Sequence, residues 1–248
     1  MQLSGKTAVI IGGGRGIGRA IALAYAQQGA RVVVAARSAD EIAETVWLIQ
    51  EMDRQALAVT TDIRAADQLD LLVQQTLQTF GYPHVVVQSA GIGLRVPLIE
   101  TDETMWDDVC NTLLKGTYLV SRAFLPGMIE QKAGHLLFIG APLERIAVPG
   151  FAAYCAAKSG IEGLTRVLAK EMRRYGITVN VIHPGGFIET RMVRKTVPEA
   201  TKGKGLLSTD EITAAAIALA VQGTRGQTGQ TIDAHVWYQT RTEKEELP

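Results

Sequence analysis

At 248 residues, with 47% hydrophobic and 20% charged residues, the chain can bury one sizeable core of the α/β type. Its basic and acidic residues balance at 25 each, with a pI near 6.9, so no excess charge favours nucleic acid or an anionic membrane. No run approaches 18 uninterrupted apolar residues, the first residues lack a signal peptide's apolar core, and Cys110 and Cys155 stand in no metal-like spacing; the expectation is a cytoplasmic protein with reduced cysteines and no metal.

The apolar, β-branched run Ala8–Ile11 predicts a buried strand, followed by five glycines within seven residues and a helix carrying Ile17, Ala20, Ile21 and Ala24. Arg31–Ala36 predicts a second strand, about 40–52 an amphipathic helix and Ala56–Thr60 a third strand. Leu69, Leu72, Val73, Thr76, Leu77 and Phe80 mark one face of the next helix. Strand four is expected at His84–Val87, a long helical region at Glu103–Gln131, strand five at Leu136–Ile139 and a helix from about 152 to 174. Strand six at Thr178–Ile182, a helix at Thr209–Val221 and a strand at Thr231–Ala234 complete the alternation, and Thr242–Pro248 reads as a frayed tail. Such alternation predicts a doubly wound parallel sheet with helices on both faces.

In a sheet of that kind a ligand settles beyond the carboxyl ends of the strands. The turn Gly12-x-x-x-Gly16-x-Gly18 would let a pyrophosphate approach the first N–H groups of a helix; it is not the general G-x-G-x-x-G spacing. At the end of strand two, where an acid would take the ribose hydroxyls of NAD, stand Ala36 and Arg37, and Arg15 lies inside the turn. Two guanidinium groups and no carboxylate suit a 2′-phosphate, so NADP(H) is expected over NAD(H). Asp62 is a candidate acceptor for the adenine amino group. Tyr154 and Lys158 lie four apart on one helix face, where an ammonium and an oxidised nicotinamide would stabilise phenolate and bring a tyrosine closer to a useful acid–base range.

Together with Ala90-Gly91 after strand four and Asn180 and Pro184-Gly185 in strand six, these motifs make the chain resemble the short-chain dehydrogenase/reductase family over essentially its whole length. The resemblance implies one Rossmann-type domain over residues 1–248, with a substrate lid at about 191–207. It implies hydride transfer with a nicotinamide cofactor, Tyr154 and Lys158 as catalytic pair, and a homodimer or homotetramer built on the two long helices. Cofactor contacts are expected from Gly12, Gly14, Arg15, Gly16, Ile17, Gly18, Arg37, Asp62, Ile63, Ala90, Gly91, Tyr154, Lys158, Pro184, Gly185 and Thr190.

The sequence also departs from the family's pattern. The substrate-binding serine expected 13 residues before the tyrosine is Ala141, and the catalytic asparagine aligns with Leu113. Asn111 lies two residues away, a rotation of about 200° on an α-helix, so it faces elsewhere. Gln88-Ser89 replaces an asparagine pair, and Thr190 lies one residue further from Pro184-Gly185 than is usual. Three functions stay open: an NADP(H)-dependent oxidoreductase on a carbonyl/hydroxyl pair (a small ketone or a 3-oxoacyl thioester), an impaired NADP(H)-binding sensor or silent subunit, and reduction of an activated C=C bond. Glu144 and Arg145, after Leu143, are a candidate pair for orienting a polar substrate. The lid carries Arg191, Arg194, Lys195, Lys202 and Lys204 against Glu199, a cationic stretch read first as a mobile loop and second as a lure for anionic substrates. His183 reads as structural, and Trp237 with Tyr238 as a possible subunit contact.

Overall fold

Seven short apolar runs pair side by side in the computed structural model, which describes residues 1–142, 147, 149–202 and 205–243. They are β1 (Thr7–Ile11), β2 (Arg31–Ala36), β3 (Ala56–Thr60), β4 (Val85–Gln88), β5 (Gly134–Ile139), β6 (Ile177–His183) and β7 (Thr231–Asp233). All neighbours are parallel, in the order β3-β2-β1-β4-β5-β6-β7. The order reverses at β1, which pairs with β2 on one side and β4 on the other. A crevice forms there because the chain leaves those strands toward opposite faces of the sheet.

The helices are α1 (Gly16–Gln27), α2 (Ala39–Gln50), α3 (Ala66–Phe80), α4 (Glu103–Cys110), α5 (Gly116–Gln131), α6 (Ala152–Met172), α7 (Arg191–Thr196), α8 (Thr209–Val221) and α9 (Ala234–Thr242). Alternate residues of each strand face opposite ways, so the sheet feeds two cores. Ile10, Val32 and Val34 pack with Ile21 and Tyr25 of α1 and Ile212 of α8 on one face. Val9, Ile11 and Val33 pack with Leu69 and Leu72 of α3, Phe124 of α5 and Ile161 of α6 on the other. Covering on both faces is why the strands read as unbroken apolar runs rather than as alternation.

Three segments differ from the sequence expectation. The region 103–131 is not one regular helix: Asn111–Lys115 forms a π-helical turn between α4 and α5, with Thr112 and Leu113 buried. The periodicity of a buried segment does not distinguish i→i+4 from i→i+5 bonding, so the turn was invisible to it. Arg191–Thr196 is helical and Pro198–Lys202 forms a 3-10 stretch, where a loop was expected. The C-terminal segment continues past β7 as α9, capped by the Asp233 carboxylate, which accepts from Val236 N at 3.1 Å. Trp237 of that helix packs on the core of the α1 face, beneath the Arg241 guanidinium at 4.6 Å, so it serves this chain's own packing.

Candidate active site

A cavity of about 580 Å³ opens at the strand ends, its wall including Ile11 of β1, Ala36 of β2 and Ile139 of β5. That volume lies in the range of small-molecule and cofactor sites. The glycine turn forms its floor. Gly12 has φ +81°, and a Cβ there would fall 2.4 Å from Ala90 N; a Cβ on Gly18 would meet the Gly12 carbonyl oxygen at 2.2 Å. Glycine is obligatory at both places because strand, turn and helix touch backbone to backbone. Gly16, with φ +55°, faces the opening.

Gly12, Arg15, Gly16, Ile17, Arg37, Asp62, Ile63, Ala90, Gly91, Tyr154, Lys158, Pro184 and Thr190 all line the cavity. Gly14, Gly18 and Gly185 are buried behind the wall instead. Gly14 packs on Glu41, and a Cβ on Gly185 would strike the Asp233 carboxylate at 2.3 Å. Asn180 is structural as well: its amide donates to Gln227 O at 2.8 Å and its carbonyl accepts from Gln230 N at 3.1 Å. His183 is buried and accepts from Gly185 N at 3.2 Å, in keeping with a structural role.

At the end of the cavity near β2, Arg15 and Arg37 are joined by a carboxylate from further along the chain, Glu41. Arg15 Nη1 donates to both oxygens of Glu41, at 2.7 and 2.9 Å, and Arg191 Nη1 lies 3.6 Å from the same carboxylate. Glu41 is on α2, four residues past Arg37, so no fixed offset from the turn announced it. That helix is held to the turn by the Thr45 hydroxyl, which donates to Gly13 O at 3.1 Å, and by Arg19 of α1, whose Nε donates to Gly14 O at 2.8 Å and whose Nη2 donates to Glu41 O at 3.3 Å. Asp62 is engaged by Arg64, whose Nη2 lies 2.8 Å from Oδ2. Those hydrogen bonds hold its carboxyl below the usual range against the opposing effect of burial.

At the other end, α6 presents Tyr154 and Lys158. Lys158 is buried and donates from Nζ to Ile139 O at 2.6 Å, while its ammonium stands 5.6 Å from the centre of the Tyr154 ring. Burial lowers the Lys158 pKa to about 8 and pushes the Tyr154 phenol above its ordinary value. Desolvation sets the direction for the Tyr154 phenol, and the Lys158 ammonium gives a hydrogen bond to the β5 carbonyl. Phe151 meets the Tyr154 ring edge-on at 5.8 Å.

Ala141 and Leu113 both line the cavity and both are buried. The Leu113 side chain reaches Gly91, where a Cβ would lie 2.9 Å from Cδ2. Thr112 joins it on the wall and Asn111 does not, so Asn111 is no substitute, although the π-helical turn voids the rotation expected for an α-helix. Behind Leu113, Gln88 Nε2 donates to Thr117 Oγ1 at 2.8 Å, and that hydroxyl donates to Leu113 O at 2.6 Å.

Residues 190–193 and 195–197 line the cavity as well. Thr190 caps α7, accepting from Val193 N at 3.2 Å, and its methyl lies against Gly16; Met192 and Thr196 lie against Gly93. Arg95, stacked 5.8 Å over the Phe151 ring, pairs with Glu199 beyond α7. Sequence reasoning missed Glu41, Arg95, Met192 and Phe151; Arg95 and Glu199 are 104 residues apart, with no motif joining them. Leu143, Glu144, Arg145 and Lys204 lie outside the described residues.

Comparison with known proteins agrees with this geometry. The family model for short chain dehydrogenase matches residues 6–201. The 3-oxoacyl-acyl-carrier-protein reductase FabG of Pseudomonas aeruginosa is 37% identical over 205 residues, covering 82% of this chain and 81% of that protein. Hydroxynaphthalene reductase arp2 of Aspergillus fumigatus is 36% identical over 190 residues, covering 75% and 68%. Among solved structures, one designated a short-chain alcohol dehydrogenase from Sinorhizobium meliloti 1021 matches with TM-score 0.87 and 29% identity over 96% of this chain and 98% of the other. A metagenomic short-chain oxidoreductase in complex with NADP matches with TM-score 0.81 and 30% identity over 94% and 98%. A family model that matches residues 6–201 and a relative 37% identical over 82% of the chain make this chain a member of the short-chain dehydrogenase family of oxidoreductases.

Proposed function

We propose that the protein is a cytoplasmic NADP(H)-dependent oxidoreductase acting on a carbonyl/hydroxyl pair, either a 3-oxoacyl thioester or a small ketone. The observation that carries this reading is one continuous cavity with Arg15 and Arg37 at one end and Tyr154 and Lys158 at the other. The glycine floor fits a dinucleotide, since every Cβ it lacks would fill the cradle or break its backing. The similarity to FabG and to the NADP-bound oxidoreductase supports the substrate class and the cofactor.

The cofactor, when bound, supplies the hydride. Arg15 and Arg37 would hold the 2′-phosphate, the first N–H groups of α1 the pyrophosphate, and Lys158 the nicotinamide ribose. Tyr154 delivers the proton to the substrate oxygen in reduction and takes it back in oxidation. Its burial keeps the phenol protonated in the free enzyme, the state needed for the reductive direction. Phe151, Ile92 and Met192 line the same cavity and would exclude water from that oxygen.

A second reading, a cofactor-binding protein with impaired turnover, is favoured by one feature: Leu113 and Ala141 place methyl groups where the reaction wants hydrogen-bond donors. Purified protein assayed with NADPH against ketones and 3-oxoacyl thioesters decides between them. The oxidoreductase reading expects turnover that Tyr154→Phe abolishes without loss of NADPH binding by calorimetry, and NADPH binding at least tenfold tighter than NADH. Binding of NADPH with no turnover on the whole panel would establish the impaired binder.

A further inference from the structure

The Glu41 carboxylate occupies the cationic end of the cavity. It takes both of its short hydrogen bonds from Arg15 and lies 3.6 Å from Arg191 of the lid. Its backbone is anchored, because the Glu41 carbonyl accepts from the Thr45 hydroxyl at 3.1 Å and from Arg19 Nη2 at 3.3 Å. Its Cβ lies against Gly14 of the turn. The carboxylate therefore projects from a fixed root beside Ser38 and Arg37, which line the same cavity. The other acid on this part of the wall, Asp62, is spent on Arg64.

We infer that Glu41 is a specificity-determining residue: an internal counterion that occupies Arg15 in the free protein and competes with the 2′-phosphate for it. The inference rests on the NADP(H) reading of the cavity. A 2′-phosphate carries close to two negative charges and would take Arg15 as a charge-assisted partner. To do so it must displace Glu41 and then sit beside an uncompensated carboxylate, and both effects weaken NADPH relative to NADH. Arg15 and Glu41 are partly exposed, so the pair is labile enough to exchange and screened enough to respond to salt. Arg191 is the neighbouring cation left to receive the displaced carboxylate, which ties occupation of this subsite to the first residue of α7.

The test is calorimetric titration of wild type, Glu41→Gln and Arg37→Ala with NADPH and NADH, and with 2′-AMP and 5′-AMP as probes of the subsite alone. Glu41→Gln keeps the shape and the backbone anchors while removing the charge. It should tighten NADPH and 2′-AMP by about five- to tenfold at low ionic strength and by less at 0.5 M salt, with NADH and 5′-AMP within about twofold of wild type. Unchanged or weaker NADPH binding in Glu41→Gln would overturn the inference. So would a selective loss of NADH, which would make Glu41 an acceptor for the ribose hydroxyl. The cofactor reading is judged separately, by the wild-type ratio and by Arg37→Ala, so either conclusion can fail while the other stands.

Discussion

Ala141 and Leu113 are buried on the cavity wall, and we propose that Ala141 leaves out a hydroxyl that would bond the substrate oxygen, which limits turnover. A single donor aimed at developing charge is worth about 10²–10³ in rate. Ala141→Ser adds one such donor on the cavity wall with the smallest change in volume. It should raise turnover on an accepted ketone at least about tenfold and leave NADPH affinity unchanged, as steady-state kinetics and calorimetry would register. A wild type that is already fast and is slowed by the serine would mean that another group supplies the donor. Leu113→Asn is the poorer test, because an amide pressed against Gly91 in a buried wall costs about 1–3 kcal/mol if it finds no partner.

Among the elements, the segment from α4 through the π-helical turn to α5 does two jobs. Its inner side delivers Thr112 and Leu113 to the cavity, held by the chain of hydrogen bonds from Gln88 through Thr117 to the Leu113 carbonyl. Its outer side leaves Trp106 and Tyr118 exposed, and Val167 of α6 is exposed too. We propose that these helices bury an isologous interface, giving a homodimer or homotetramer. Light scattering at micromolar concentration should report at least a dimer, and Tyr118→Glu should shift it toward monomer. A wild-type monomer under those conditions would refute the interface.

Across the whole molecule, the end of the sheet remote from the cavity carries its own polar cluster. His84 Nδ1 accepts from Thr7 N at 3.1 Å, and His135 Nδ1 pairs with Thr178 Oγ1 at 2.8 Å. Burial lowers both imidazoles, with Lys6 adding to each, and His135 falls to about 4. Above the ordinary value of about 6.5 the imidazole is neutral in folded and unfolded chains alike, so it contributes no pH dependence there. As pH falls from about 6.5 to about 4 the unfolded chain takes a proton that the folded chain refuses, and stability drops by about 3 kcal/mol in total. Urea midpoints measured across that window should fall for wild type and fall less for His135→Asn. Superimposable profiles would exclude His135 as the cause. Asp62, Glu44 and Glu199, whose carboxyls are held low by arginine partners, add their losses only below the ordinary carboxylate range.

Wherever a function needs a local chain pattern, the sequence by itself was enough. The strand–glycine–helix unit at Gly12–Gly18 declares itself because backbone contact admits no side chain there. Tyr154 and Lys158 meet because one helical turn separates them. The sheet class followed from apolar runs alternating with amphipathic helices, and β2 and β3 take the expected bounds Arg31–Ala36 and Ala56–Thr60. Tertiary structure alone decided what lies opposite. Glu41 neutralises Arg15 because α2 is stapled to the turn, and Arg95 meets Glu199 because the segment around α7 packs on the loop that leaves β4. Burial raises the Tyr154 phenol, and the Lys158 hydrogen bond goes to the β5 carbonyl 19 residues earlier in the chain. Each of these depends on distances between segments far apart in the chain. Residue spacing encodes what neighbours along one element can do, and it carries no record of which charge another element brings to the same cavity.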